Sequence, residues 1–136
     1  MTHNMTRLNP KGLPDAAALG YSQISIVETP GRIAYVSGQV AVRADGAEVP
    51  ESLAEQTAIA AANAQTALEA LGATVEDIAI LRCFVVGLTP KAMEEAYPPL
   101  MAFLNGAQPS LTGLGVASLA APELKIELEM TVRVPS

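Results

Sequence analysis

Two glutamates near the C-terminus are the side chains best suited to acid–base chemistry. Glu127 and Glu129 are two residues apart in an apolar segment that predicts a β-strand, so their carboxylates lie on one face. A carboxylate that faces a pocket can position a water molecule or accept a proton. The alternative interpretation is a solvated or interface face without chemistry, and the residue pattern leaves both open.

Other catalytic groups are scarce. His3 is the only histidine, so a pair of histidines acting as acid and base has no candidates. Cys83 is the only cysteine, and its strand-like neighbours predict a buried, reduced thiol rather than a nucleophile. A metal centre needs clustered His, Cys, Asp or Glu, and only the two glutamates come close. No metal site is predicted.

Glycines mark two further places where a ligand can approach the backbone. Gly113 and Gly115 lie inside a predicted strand on the same face as Leu111, and glycine in a strand often accompanies close approach by a ligand or another backbone. A bulge or tight packing is the alternative. Gly38, in Ser37–Gln39, can expose peptide groups at the end of a strand, although a simple turn explains the same residues.

Composition restricts the partners. The chain has 136 residues, a formal net charge of −6 and no basic run, so a phosphate backbone would be repelled and nucleic acid is not a predicted partner. Charged residues make up only 16% of the chain, which predicts apolar surface buried against another subunit. A compositional drift toward alanine is the alternative.

Nothing in the sequence predicts a membrane segment. Charges or prolines interrupt every apolar stretch, and residues 1–20 lack the pattern of a signal peptide. A cytoplasmic protein is the default expectation, with residues 1–136 forming a single domain.

The elements that must position these residues alternate between strands and helices. Residues 1–20 predict an irregular arm with one short strand near Met5–Leu8. An antiparallel hairpin is predicted from Ser22–Val27 and Arg32–Val36, on either side of a Glu28-Thr29-Pro30-Gly31 turn. A central strand is predicted in Asp77–Leu88. Two final strands are predicted, in Ser110–Leu119 and Leu124–Val134.

Two helices are bounded by local signals. Ser52 with Glu55 forms a capping-box pattern before the first helix, and Gly72 suits its C-terminal cap. Thr89 followed by Pro90 predicts the start of a second helix. That helix is predicted to end at Asn105-Gly106 and to bend at Pro98-Pro99.

The chain resembles the RidA (YjgF) family, also labelled L-PSP endoribonuclease, over about Leu8 to Val134. The fragments that carry the resemblance occur in order: Tyr21-Ser22-Gln23, Val36-Ser37-Gly38-Gln39, Gln56 and Asn63 before Leu71-Gly72-Ala73, Pro109, Gly115-Val116-Ala117 and Ile126-Glu127-Leu128-Glu129. The resemblance implies an α+β, chorismate-mutase-like fold, with a mixed six-stranded sheet backed by two helices. It also implies a homotrimer with small-molecule pockets between subunits and hydrolysis of 2-imino acids without metal or cofactor.

Site residues follow from the resemblance by position. Tyr21 would lie at the pocket rim, Ser37 and Gly38 would line the pocket, and Glu127 would hold the attacking water. The family's arginine, which binds the substrate carboxylate, corresponds to Leu111, and the pocket-facing cysteine two residues later corresponds to Gly113.

The change at Leu111 alters the predicted substrate. An arginine binds a carboxylate through paired, charge-assisted hydrogen bonds that leucine cannot make. Losing such a contact costs several kcal/mol, or roughly a thousandfold in affinity, unless Arg82 or Arg133 reaches the pocket. The sequence therefore predicts an enzyme acting on neutral imine, enamine or carbamate-like substrates. The alternative is a non-catalytic binding or chaperone-like module, and ribonuclease activity is the least favoured.

Overall fold

The computed structural model describes residues 4–28 and 31–135. His3 and the centre of the predicted turn at Thr29-Pro30 lie outside the described residues. Six strands are present among the described residues: β1 (Met5–Leu8), β2 (Ile24–Val27), β3 (Arg32–Gln39), β4 (Ile78–Val86), β5 (Ser110–Val116) and β6 (Ile126–Val134). The helices are α1 (Leu53–Ala70) and α2 (Pro90–Leu104), with short 3-10 turns at Ala17–Leu19 and Val75–Asp77.

The strands form two sheets. Four strands follow the order β3-β6-β4-β5, in which β4 runs antiparallel to β6 and parallel to β5. β1 and β2 form a separate antiparallel pair. An isolated bridge between Ser22, just before β2, and Ser110 connects this pair to the start of β5. The α+β class with a mixed sheet and two helices is confirmed, although the six strands are divided between two sheets.

The predicted hairpin between the second and third strands is wrong. β2 pairs with β1, whereas β3 pairs antiparallel with β6, with Arg32 opposite Val134. The local turn signal carried no information about β6, which lies almost a hundred residues further along the chain. β6 has nine residues with a buried alternate face, against four residues in β2, so pairing with β6 lets β3 join the main sheet.

Both helices pack on one face of the four-stranded sheet, which we term the helix face. Alternate residues of β4 and β6 are buried there in one cluster with the apolar residues of α1 and α2. The opposite face, termed the open face, carries the intervening side chains, such as Arg82 and Phe84, which are half-buried. One face therefore supplies the core, while the other remains accessible in a single chain.

Helix boundaries follow the local signals closely. The Ser52 hydroxyl accepts a hydrogen bond from the Glu55 amide at 3.2 Å, and Gly72 adopts the left-handed conformation with φ +64°. At α2, Thr89 Oγ1 accepts from the Ala92 amide at 3.1 Å, and Pro90 occupies the first turn. The helix continues through Pro98 and Pro99 to Leu104.

Candidate functional site

The candidate residues divide between the two faces of the sheet. Leu111 and Gly113 of β5 lie level with Leu81 and Cys83 of β4, whose side chains are buried on the helix face. Glu127 of β6 lies level with Phe84, which belongs to the open face. Since side chains alternate along a strand, β5 directs Leu111 and Gly113 to one side and β6 directs Glu127 to the other.

A cavity of about 200 Å³ lies between α2 and the helix face of the sheet. The structure brings three sequence-predicted residues, Tyr21, Leu111 and Gly113, onto its wall. The remaining lining residues are Cys83, Val85, Leu88, Met93, Ala96, Tyr97 and Leu100. A Cβ atom added at Gly113 would meet nothing within 4 Å, so this glycine leaves room in the cavity.

Gly115 has a different role from Gly113. A Cβ atom at Gly115 would lie 3.0 Å from the Leu88 Cβ. The absence of a side chain there therefore permits close packing of β5 against the segment that follows β4.

The described walls of the cavity carry no charged side chain, and their polar side-chain groups are the Cys83 thiol and the hydroxyls of Tyr21 and Tyr97. Burial raises the pKa of the Cys83 thiol to about 11, so the thiol is protonated and neutral at ordinary pH. This agrees with the predicted buried, reduced cysteine. The Tyr97 hydroxyl donates a hydrogen bond to the Leu19 carbonyl, which occupies its proton.

The sequence did not predict that α2 contributes side chains to the cavity. Met93, Ala96, Tyr97 and Leu100 recur at helical spacing, which places them on one stripe of the helix. That spacing is equally typical of a core-facing stripe. A cavity-lining stripe differs from a core-facing one only in the empty volume opposite Gly113, and sequence spacing does not predict that volume.

Gly38 and Glu127 form the second cluster, on the open face. The pairing of β3 with β6 shifts between Val36 and Gln39, where three steps along β3 match two along β6, as in a β-bulge. A Cβ atom at Gly38 would lie 2.5 Å from Glu127 Oε2 and 2.6 Å from its Cγ. The carboxyl group therefore lies directly against the Gly38 backbone, in space that any other residue would fill.

Ser37 lies beside this cluster, in the same bulged segment. Its side chain is exposed and borders a shallow depression on the open face. The other residues of that depression are Tyr35, Val36, Arg82, Glu129, Met130 and Thr131.

Arg82 and Arg133, the two arginines considered as substitutes for a cation at Leu111, both lie away from the cavity wall. Arg82 Nη1 lies 3.1 Å from Glu129 Oε1, and both side chains are 41% exposed. Arg133 is 3% exposed, and its Nε and Nη1 atoms have no hydrogen-bond partner among the described residues. Neither arginine lines the cavity. Among the described residues, Glu127 has no ion pair. Arg82 forms its ion pair with Glu129 instead.

A buried glutamine fixes the segment that leads to Glu127. The Gln56 amide nitrogen donates to the carbonyls of Pro50 and Glu123 at 2.8 and 2.9 Å, and its oxygen accepts from the Lys125 amide at 2.8 Å. Gln56 is fully buried. Two of these three hydrogen bonds connect α1 to Glu123 and Lys125, which flank Leu124 just before β6 begins, and the third connects α1 to Pro50.

Within residues 4–28 and 31–135, no three His, Cys, Asp or Glu side chains converge as a metal site would require. Over the same part of the chain, neither helix has the length and apolarity needed to cross a membrane.

Comparisons with known proteins place this geometry in a family. A family model described as Endoribonuclease L-PSP matches residues 13–134, almost the whole chain. The chain belongs to the L-PSP family. Comparison with curated proteins finds no match for this L-PSP protein.

Solved structures of RidA/YjgF proteins resemble this L-PSP protein along most of their length. YyfB from Yersinia pestis, a Rid-family protein of unknown function, is 34% identical with a TM-score of 0.88, over 96% of this chain and 99% of YyfB. Rv2704 from Mycobacterium tuberculosis, of the YjgF family, is 24% identical with a TM-score of 0.64, over 96% and 99% of the two chains. RidA from Psychrobacter is 21% identical with a TM-score of 0.68, over 84% and 88%.

Proposed function

We propose that this L-PSP protein hydrolyses neutral imines or enamines in a site that two copies of the chain form together within a homotrimer. The observation that carries the proposal is the Glu127 carboxyl group, which lies against Gly38 on the open face without a cation partner among the described residues. A carboxyl group without a cation partner is suited to accepting a proton from water.

The chemistry needs one proton acceptor and no cofactor. As water attacks the imine carbon, Glu127 accepts a proton from it, and the C=N bond becomes a C–N single bond in a carbinolamine. Glu127 returns this proton to the nitrogen, which becomes an NH2 group. It then accepts the proton of the new hydroxyl group and passes it to the nitrogen, so the C–N bond breaks as the C=O bond forms, and a carbonyl product and ammonia leave. An enamine first takes a proton on carbon to become the imine.

Two copies are proposed because one chain separates the two halves of the site. The cavity with Tyr21, Leu111 and Gly113 opens from the helix side, while Glu127 lies on the open face. β4 lies between β5 and β6, and strands are spaced by about 4.8 Å, so a small ligand cannot contact both sets around the sheet edge.

The open face has the surface that such an assembly needs. Tyr35 is 82% exposed and Ile33 is 38% exposed, and Phe84 on the same face is half-buried. Apolar side chains grouped on one face favour burial by a further copy. A homotrimer, as the family resemblance implies, would bring Glu127 of one copy to the cavity of the next.

Charge favours a neutral substrate. Leu111 occupies the position where the family has an arginine, and Arg82 is engaged by Glu129. A carboxylate substrate would approach Glu127 without a compensating cation, which is unfavourable in a desolvated site. Ordinary 2-imino acids are therefore not the proposed substrates.

Replacing Glu127 by glutamine is expected to lower ammonia release from neutral imines by about 10²-fold or more, because the amide cannot accept the proton from water. Glu129→Gln is the matched control, since it removes a carboxylate two residues away on the same face, and it should retain activity. Ammonia is measured on a panel of aldimines and ketimines. Equal rates for Glu127→Gln and the unmodified protein on every substrate would contradict the proposal.

Mixed oligomers test whether the site is shared. We expect Glu127→Gln and Gly113→Phe to be inactive separately and to regain activity when they are co-expressed in equal amounts. About a quarter of the sites in a symmetric oligomer would then combine an intact Glu127 with an intact cavity. Light scattering gives the mass of each assembly. A monomer, or a trimer without recovered activity, would refute the shared site.

A binding module without catalysis is the second candidate, because the described cavity walls carry no charged side chain. It predicts that imine analogues raise the melting temperature while no product forms. Ribonuclease activity, which the description of the family model names, is not proposed, since a net charge of −6 repels RNA.

A further inference from the structure

We infer that the cavity beneath α2 binds an apolar substituent on the imine carbon, either a branched aliphatic chain or a single aromatic ring, and that Gly113 sets the size of group it accepts. The identity of the reacting bond rests on the proposed function. The occupancy of the cavity does not, because it is measured separately.

The volume of the cavity fits one such group. It measures about 200 Å³. An engineered cavity of about 150 Å³ lined by Leu, Ile and Phe stays dry and binds benzene. The cavity under α2 is therefore large enough for a phenyl or isobutyl group.

Most of the described wall is hydrocarbon, with the Tyr21 hydroxyl as a further polar group, and such a lining disfavours a charged or strongly polar substituent. The Cys83 thiol is neutral, and the Tyr97 hydroxyl already donates to the Leu19 carbonyl. Leu111, Val85 and Leu100 offer only hydrocarbon. A polar group buried among them would lose its hydrogen bonds to water without replacement, whereas an apolar group gains from leaving water.

Gly113 controls how far a substituent can enter. Open space surrounds the position of its absent Cβ, and it lies level with Cys83 on the neighbouring strand. A side chain at this position would occupy cavity volume without displacing a backbone atom. Each methylene that fits in the cavity is expected to raise affinity about fourfold.

Occupancy is tested with benzene, a neutral probe that cannot react. In the full chain with isotope-labelled methionine methyl groups, benzene should shift the Met93 signal, since Met93 lines the cavity, and leave Met130 of β6 unchanged. We expect Gly113→Val to weaken benzene binding at least tenfold and Gly113→Ala to have an intermediate effect. Thr112→Val is the matched control, because its exposed side chain belongs to the open face of the same strand.

Turnover provides the second measurement. Imines whose carbon bears methyl, isobutyl or benzyl groups should show kcat/KM rising with the size of the group in the unmodified protein. In Gly113→Val, the advantage of isobutyl and benzyl over methyl in kcat/KM should disappear.

The outcomes separate the two proposals. Benzene binding that shifts Met93 without Glu127-dependent ammonia release would leave the cavity inference intact and refute the hydrolase. Glu127-dependent release with equal kcat/KM for all three groups would refute the cavity inference alone. Absence of benzene binding, or binding that survives Gly113→Val and Gly113→Ala unchanged, would also overturn it.

Discussion

Changing Gly38 to alanine is expected to reduce Glu127-dependent ammonia release by roughly 10²-fold, although Gly38 contributes no side chain. The added methyl would lie 2.5 Å from Glu127 Oε2, well inside the contact distance of the two atoms. Glu127 must then move, and displacement of a catalytic group by about 1 Å is enough for a loss of this size. Steady-state kinetics on the best neutral imine measures the effect.

Stability should change little in the same variant. Alanine is preferred over glycine in strand interiors by about 0.5–1 kcal/mol, which offsets part of the strain. Gly12→Ala is a suitable control, since a Cβ atom there meets nothing within 4 Å. The double variant Gly38→Ala with Glu127→Gln should be no slower than Glu127→Gln alone, because both changes remove one function. Full activity in Gly38→Ala would show that the observed position of Glu127 is not the active one.

Replacing Gln56 by leucine is expected to lower the free energy of unfolding by about 3–5 kcal/mol, despite similar size and greater hydrophobicity. The change leaves two part-buried carbonyls, of Pro50 and Glu123, and the Lys125 amide without their partner. Each unsatisfied buried group costs about 1–3 kcal/mol, moderated where water enters. Urea denaturation followed by circular dichroism measures the loss.

Thr57→Val is the matched control for Gln56→Leu. Thr57 is equally buried, yet its hydroxyl bonds only to the Leu53 carbonyl one turn earlier in α1. That substitution should cost about 1 kcal/mol or less. A similarly small loss for Gln56→Leu would mean that the segment before β6 is held by other contacts, such as the hydrogen bond from the Lys125 ammonium to the Glu51 carbonyl.

Features set by neighbouring residues were predictable from sequence. The helix starts at Ser52 and Thr89 and the left-handed Gly72 depend on groups within a few positions along the chain, so local patterns identify them. The spacing of Glu127 and Glu129 also predicted their common face. The α+β class followed from these elements together with the family resemblance.

Features that depend on strand register were not predictable in the same way. The separation of Glu127 from Leu111 and Gly113 requires the alignment of β4 with both β5 and β6, and these pairings connect distant parts of the chain. The bulge that sets Gly38 against Glu127 is a register shift of the same kind. Sequence spacing shows which side chains of one strand share a face. Only the pairing of strands shows which side chains of different strands lie on the same face of the sheet.

Two prolines interrupt the backbone hydrogen bonds of α2, the helix that forms one wall of the cavity. Proline has no amide hydrogen, so Pro98 and Pro99 leave the carbonyls of Glu94 and Glu95 without their normal helical donors. Met93 and Tyr97, which line the cavity, belong to this part of α2. The helix wall of the cavity therefore lacks two of the backbone hydrogen bonds that stiffen an ordinary helix. We therefore expect α2 to bend outward more readily than an ordinary helix when a large substituent occupies the cavity.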